Sequence, residues 1–109
     1  MIQIRPAQPT DRAAWQHLWD GYNAFYGRAG ETALPATITE TTWARFHDAA
    51  EPVHALVAMD KHGDLLGLAH YLYHRSTTRI EPTCYLQDLF TAPEARGRGV
   101  GRALLEGDR

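Results

Sequence analysis

The 109-residue chain holds a single cysteine, Cys84, so it forms no internal disulfide and fits a reducing compartment. It has no apolar run near the roughly 20 residues that a membrane-spanning helix needs. Its start, Met1-Ile2-Gln3-Ile4-Arg5-Pro6, lacks the charged-then-apolar order of a secretory signal. A cytoplasmic protein with no membrane partner is expected. One-signed charge is missing too: 11 basic residues stand against 13 acidic ones, a formal net charge of −2. Nothing in that balance draws the chain to nucleic acid. The six histidines are not spaced with Asp, Glu or Cys as ligands would be, so no metal site is expected. Repeats, linkers and low-complexity tracts are also lacking. What is there, 44% apolar and 22% charged residues, suits one globular domain over 1–109 with a modest core.

Periodicity then orders the chain. Ile2 and Ile4 alternate with polar neighbours and predict a short strand closed by Pro6. Thr10 or Asp11 is placed to cap a helix in which Trp15, Leu18, Trp19, Tyr22, Phe25 and Tyr26 recur at three- and four-residue spacing. After a loop over Gly27–Pro35, Thr39 or Thr41 is expected to start a second helix with Trp43, Phe46 and His47. Val53–Met59 and Leu65–His74 read as a hairpin about the turn Asp60–Asp64, with Gly63 as the positive-φ residue. Thr83–Thr91 predicts a further strand, and Val100, Ala103, Leu104 and Gly107 fall on one face of a last, short helix. The order β-α-α-β-β-β-α predicts a mixed α/β (α+β) domain. The ending Glu106-Gly107-Asp108-Arg109 reads as abrupt, and a truncated domain is expected.

Between the last strand and the last helix lies Arg96-Gly97-Arg98-Gly99-Val100-Gly101-Arg102. Glycines at alternate positions let a backbone approach a ligand, and a helix start turns unpaired N–H groups outward. Together they suit a phosphate or pyrophosphate. By itself the Arg-x-x-Gly-x-Gly pattern also fits a plain surface loop; its setting of strand, proline turn and helix favours the anion cradle. A dinucleotide-binding fingerprint would sit near the first strand with an acidic residue about 20 positions on. A phosphate loop of the Walker type would end in Gly-Lys-Ser/Thr. Neither is present.

The stretch Tyr85-Leu86-Gln87-Asp88-Leu89-Phe90-Thr91-Ala92-Pro93-Glu94-Ala95-Arg96-Gly97-Arg98-Gly99-Val100-Gly101-Arg102-Ala103-Leu104-Leu105 resembles the acetyl-CoA motif of the GNAT N-acetyltransferase superfamily. The aromatic first helix and Tyr85–Leu89 look most like its diamine/polyamine and small-amine branch. The resemblance implies a mainly antiparallel sheet flanked by helices, here without the family's C-terminal strands and helix. It implies acetyl-CoA as cosubstrate, a small-molecule or protein amine as acceptor, and direct attack of the amine on the thioester. The main chain of Leu89, Phe90 and Thr91 would pair with the pantetheine arm. Arg96, Gly97, Arg98, Gly99, Val100, Gly101 and Arg102 would hold the pyrophosphate. Gln87 stands where some polyamine acetyltransferases carry a Glu, and no residue matches the Tyr that protonates the leaving thiolate.

Other residues are candidates on their own chemistry. Asp88, beside the proposed cofactor strand, is placed to bind a cation or accept a proton. Tyr22 and Tyr26, with Asp20 and Glu31 near them in sequence, are placed to rim an amine pocket. His70 and His74 share a strand face; either would ordinarily be a satisfied or solvent-facing histidine. The competing reading is a non-catalytic CoA-binding or interaction module, pairing through the strand Thr83–Thr91, with a homodimer as one outcome.

Overall fold

A computed structural model of the chain describes residues 2–107; Asp108 and Arg109, part of the abrupt ending read above, lie outside them. The elements are β1 (Gln3–Pro6), α1 (Arg12–Phe25), α2 (Ala36–Phe46), β2 (Val53–Met59), β3 (Leu65–His74), β4 (Thr83–Thr91) and α3 (Val100–Gly107). Short 3-10 turns at Pro9–Asp11, Gly30–Thr32 and Pro93–Ala95 link them. The strands form one antiparallel sheet in the order β1-β2-β3-β4. The expected element order and mainly antiparallel sheet are therefore present.

Period-two alternation sends β3 side chains to opposite layers. His70 meets Trp15, Trp19 and Phe46, which places α1 and α2 on one face. On the other face Gly67 opposes Val100 and Leu104 of α3, and Ile4 and Leu56 oppose Gly107. The aromatic stripe of α1 is the larger part of the core. Trp15 is fully buried, stacks on Trp19 at 5.6 Å and tilts against Trp43 at 4.6 Å. The stripe leaves the core at its last turn: Phe25 is 70% exposed and Tyr26 59% exposed. There α1 overhangs β4, the edge strand, and the two rings line a groove instead of packing inside.

The first helix starts at its expected N-cap and the second does not, but in both a polar side chain able to cap found another partner. Asp11 occupies the N-cap of α1 but makes no cap bond. Its carboxylate accepts from Arg5 at 2.7 and 2.9 Å and from the Gln8 N–H at 2.7 Å, tying β1 to the start of α1. The second helix begins at Ala36 behind Pro35, not at Thr39 or Thr41. Proline's fixed φ suits a helix entry, with Ile38 N–H bonded to Pro35 O at 3.0 Å. Thr39, inside the helix, accepts the Trp19 indole N–H at 3.1 Å, and Thr41 donates to Thr37 O at 2.7 Å.

Close approach of β3 to α3 requires a missing side chain. A Cβ on Gly67 would lie 2.7 Å from Phe90 O and 2.9 Å from Val100 Cγ1. Gly67→Ala is expected to cost about 1–3 kcal/mol of stability by overpacking; an unchanged urea midpoint would contradict this packing. The Asp11 carboxyl is held below its usual range, first by the hydrogen bonds from Arg5. A lowered folded-state pKa stabilises above the unfolded value of about 3.9, and that stability is lost as pH falls through the folded value. Asp11→Asn is expected to be less stable than the parent near neutral pH and to lose less between about pH 5 and pH 2. Parallel pH–stability curves would contradict the assignment.

Candidate active site

The site begins at an irregularity in the β3–β4 ladder. His70 pairs with Asp88 but Tyr71 pairs with Leu86, so Gln87 is an extra residue on β4. Such a bulge twists a strand and re-aims its side chains. On the helix-covered face, His70 Nδ1 lies 2.9 Å from Asp88 Oδ2. Trp15 Nε1–H donates to His70 Nε2 at 3.0 Å. An indole nitrogen only donates, so Nε2 accepts and the ring hydrogen sits on Nδ1, directed at Asp88; the tautomer follows from this complementarity. His70 is 1% exposed, and no side-chain polar atom buried among the described residues lacks a partner.

Tyr22 completes the chain. Burial first, then the hydrogen bond to Asp88 and its negative charge, push the Tyr22 hydroxyl pKa well up. The phenol therefore stays protonated beside Asp88. Trp15 thus holds His70, His70 holds Asp88, and Tyr22 stands beside that carboxylate at the rim of a cleft of about 710 Å³. Gln87, Tyr26 and Arg28 also line this cleft. A narrower groove of about 170 Å³ adjoins it along Leu89, Phe90, Thr91 and Arg96, and Tyr22 and Tyr26 belong to both.

Main-chain phase decides which β4 groups face that groove. Ala92 N–H donates to Leu66 O at 2.8 Å, toward β3. Antiparallel alternation then turns Phe90 toward β3 as well, and sends the N–H and C=O of Leu89 and Thr91 to the other edge. No strand pairs there among the described residues. The three residues expected to share one role are therefore divided: Leu89 and Thr91 offer main chain, and Phe90 offers its ring, which lies against Gly21 and Tyr22.

The glycine turn follows directly. Gly97 and Gly99 have φ of 83° and 77°, the left-handed region where a side chain is strained. Gly101 differs: its backbone is helical, and a Cβ there would meet nothing closer than Thr91 Oγ1 at 3.9 Å. Ala103 N–H to Gly99 O, at 3.0 Å, is the first bond of α3. The N–H groups of Val100, Gly101 and Arg102 precede it and have no carbonyl to reach within the helix. The mouth of α3 thus opens at the end of β4. The Val100 side chain is buried, so this residue has only main chain to offer, whereas Arg96, Arg98 and Arg102 are exposed.

The model of the acetyltransferase (GNAT) family matches residues 12–107. The chain belongs to the acetyltransferase (GNAT) family. Members of this family use acetyl-CoA. Among known proteins, the chain is 37% identical over 106 residues to the D-amino-acid N-acetyltransferase HPA3 of Saccharomyces cerevisiae. That match covers 96% of this chain and 63% of the yeast protein, so the chain spans less than two thirds of its relative's length. Among solved structures, a probable acetyltransferase superposes with a TM-score of 0.81 at 22% identity, over 97% of this chain and 68% of that one. The aminoglycoside 6'-N-acetyltransferase AAC(6')-Ih of Acinetobacter baumannii gives 0.73 at 14% identity, over 99% and 69%. Both share the fold.

Within this GNAT chain the structure brings Asp88, Tyr22 and Tyr26 to one cleft and Leu89, Phe90, Thr91 and Arg96 to the adjoining groove. Asp20 and Glu31 line neither; Asp20 accepts from Gln16 at 2.9 Å. Sequence reasoning undervalued His70 and treated Trp15 as packing alone. The available signal was a histidine amid Leu68 and Leu72 on an apolar face, which demands two buried partners. His74, its neighbour on that face in sequence, is exposed and bonds Arg75 O. Trp15→Phe would leave His70 Nε2 buried without a donor, and a loss of about 1–3 kcal/mol is expected from that unmade bond. A thermal unfolding midpoint equal to the parent's would refute the Trp15–His70 bond.

Proposed function

We propose that the chain forms the acetyl-CoA and acceptor-binding part of an N-acetyltransferase that acetylates a primary amine of a small molecule. One observation carries the reading: the edge groups of Leu89 and Thr91 run straight from the α3 mouth to the cleft that holds Asp88. The residues present suit acetyl-CoA. The N–H groups of Val100, Gly101 and Arg102 take its pyrophosphate, with Gly97 and Gly99 shaping the turn and Arg96, Arg98 and Arg102 adding positive charge. At Gly101 the nearest atom to a Cβ would be Thr91 Oγ1, 3.9 Å away, so no side chain crowds that N–H. Leu89 and Thr91 receive the pantetheine arm as an added strand.

Bound there, acetyl-CoA supplies an activated acetyl thioester. The chain's own residues orient and deprotonate. An edge N–H of β4 polarises the carbonyl, and alignment along the strand sets its direction. Asp88 accepts the proton that the acceptor ammonium must lose before its nitrogen attacks. His70 holds the carboxylate in place by donating to it, with the protonated Tyr22 phenol alongside. The neutral amine would displace the thiolate, the C–N bond forming as the C–S bond breaks and the remaining nitrogen proton passing to the sulfur, which gives an amide and free CoA without a covalent enzyme intermediate.

Size and charge favour a small acceptor. A volume of about 710 Å³ lies within the usual range of small-molecule sites. The yeast relative, by its name, acts on D-amino acids. A polyamine, the acceptor suggested by the aromatic first helix, would find Asp88 as the sole acidic residue lining the cleft, beside Arg28 and Arg45.

Gly101→Glu tests the cradle cleanly. A Cβ there makes only an ordinary contact, 3.9 Å from Thr91 Oγ1, and the added charge suits the first turn of a helix, so the fold is expected to keep its stability. The same charge opposes the pyrophosphate, and calorimetry is expected to show acetyl-CoA binding lost; unaltered affinity would overturn the assignment. Asp88→Asn is expected to lower kcat about 100-fold or more. An unchanged rate across pH would remove Asp88 from proton transfer.

A further inference from the structure

The cleft contains a cation that the reaction outlined above does not use. Helix α1 ends at Phe25 with Tyr26 as its cap, and Gly27 turns the chain back at φ 80°. Gly27 N–H bonds Ala24 O at 3.0 Å and Arg28 N–H bonds Asn23 O at 2.8 Å, the paired closure of a Schellman turn. That turn fixes where Arg28 leaves the backbone. Its side chain is then fixed as well: Nε donates to Asn23 Oδ1 at 2.7 Å, and the guanidinium carbon lies 5.8 Å from the Tyr22 ring centre and 5.4 Å from that of Tyr26. Asn23 is itself buried and anchored by Nδ2–H to Trp19 O at 2.9 Å.

An arginine held by Nε and by stacking has its two terminal nitrogens left for a planar anion. No carboxylate of the described residues pairs with Arg28. The other arginine on the cleft, Arg45, is engaged with Glu51 at 3.3 Å. Arg28 and Asp88 line one cleft on either side of Tyr22: its ring carries the guanidinium, and its hydroxyl lies under the influence of the carboxylate. The cleft thus presents an anion for an ammonium and a cation for a carboxylate, with an aromatic wall between them.

We infer that Arg28 binds the carboxylate of the acceptor, and that the acceptor is an amine bearing a carboxylate, as an α-amino acid does. This rests on reading the cleft as the acceptor site. Tyr26 then shields the ion pair from water, and Arg28 selects the substrate without taking part in proton transfer. A bidentate pair is directional, so it also fixes which face of the amino group turns toward β4.

The test is a binding comparison that does not depend on turnover. D-phenylalanine and 2-phenylethylamine differ by the carboxylate alone, and both are titrated by NMR into the parent, Arg28→Gln and Arg28→Lys. The parent is expected to bind the amino acid about 10- to 100-fold more tightly than the amine, the range of a charge-assisted pair. Arg28→Gln is expected to abolish that ratio while leaving the amine's affinity in place. Arg28→Lys is expected to restore part of it. An amino acid bound no better than the amine, or a Gln variant that weakens both alike, overturns the inference; the latter is also the result of a purely structural arginine. Acetylation assays with the same ligands report separately on the transferase reading: carboxylate preference without acetyl transfer would leave Arg28's role standing and remove the enzymatic one.

Discussion

The unpaired edge of β4 is the constraint on which the groove and the cleft both depend. An antiparallel strand satisfies half of its main-chain groups through its partner and leaves the rest pointing outward. Here β3 takes the groups on one side, and the outward groups of Leu89 and Thr91 run toward the first turn of α3. Two independent features hold that geometry. Gly67 has no side chain, so α3 packs close against the sheet, with its first turn at the end of β4. Gly21 has none either, so the Phe90 ring tucks under α1, where a Cβ would lie 2.9 Å from it. A methyl group at either place would move the helix mouth or the helix roof relative to the strand.

The second dependence is polar and buried. Placing a histidine at the centre of an aromatic cluster is destabilising unless both ring nitrogens are satisfied. Trp15 and Asp88 satisfy them, and in doing so tie α1, β3 and β4 into one unit. Asp88 becomes a carboxylate with one fixed donor, His70 Nδ1–H, the Tyr22 phenol beside it and an open side toward the cleft. The same helix that supplies Trp15 supplies Tyr22, and its C-terminal turn places Arg28. The lining of the cleft around Asp88 is thus largely a property of one helix and how it ends.

Local signals were legible in the sequence. The strands Val53–Met59, Leu65–His74 and Thr83–Thr91 appear with the bounds that alternation and turn residues suggest, and Gly63 has the expected positive φ. The turn from β4 into α3 was legible because glycines, a proline and a helix start lie consecutively. Threonine misled at α2, since its cap preference is a statement about local bonding, and Thr39 is held by Trp19 from another helix. The pairing of His70 with Asp88 was out of reach for a different reason. It depends on one extra residue at Gln87, and a register shift leaves no mark in composition or periodicity. Arg28 likewise gains its meaning only through a turn that lays it over two tyrosines.

The most direct measurement is an amide chemical-shift map of the 109-residue chain as acetyl-CoA is added. The account expects the largest changes at Leu89 and Thr91 and across Gly99–Arg102, with smaller ones at Phe90, whose amide faces β3. Changes centred on any other surface, or a spectrum indifferent to saturating ligand, would contradict it.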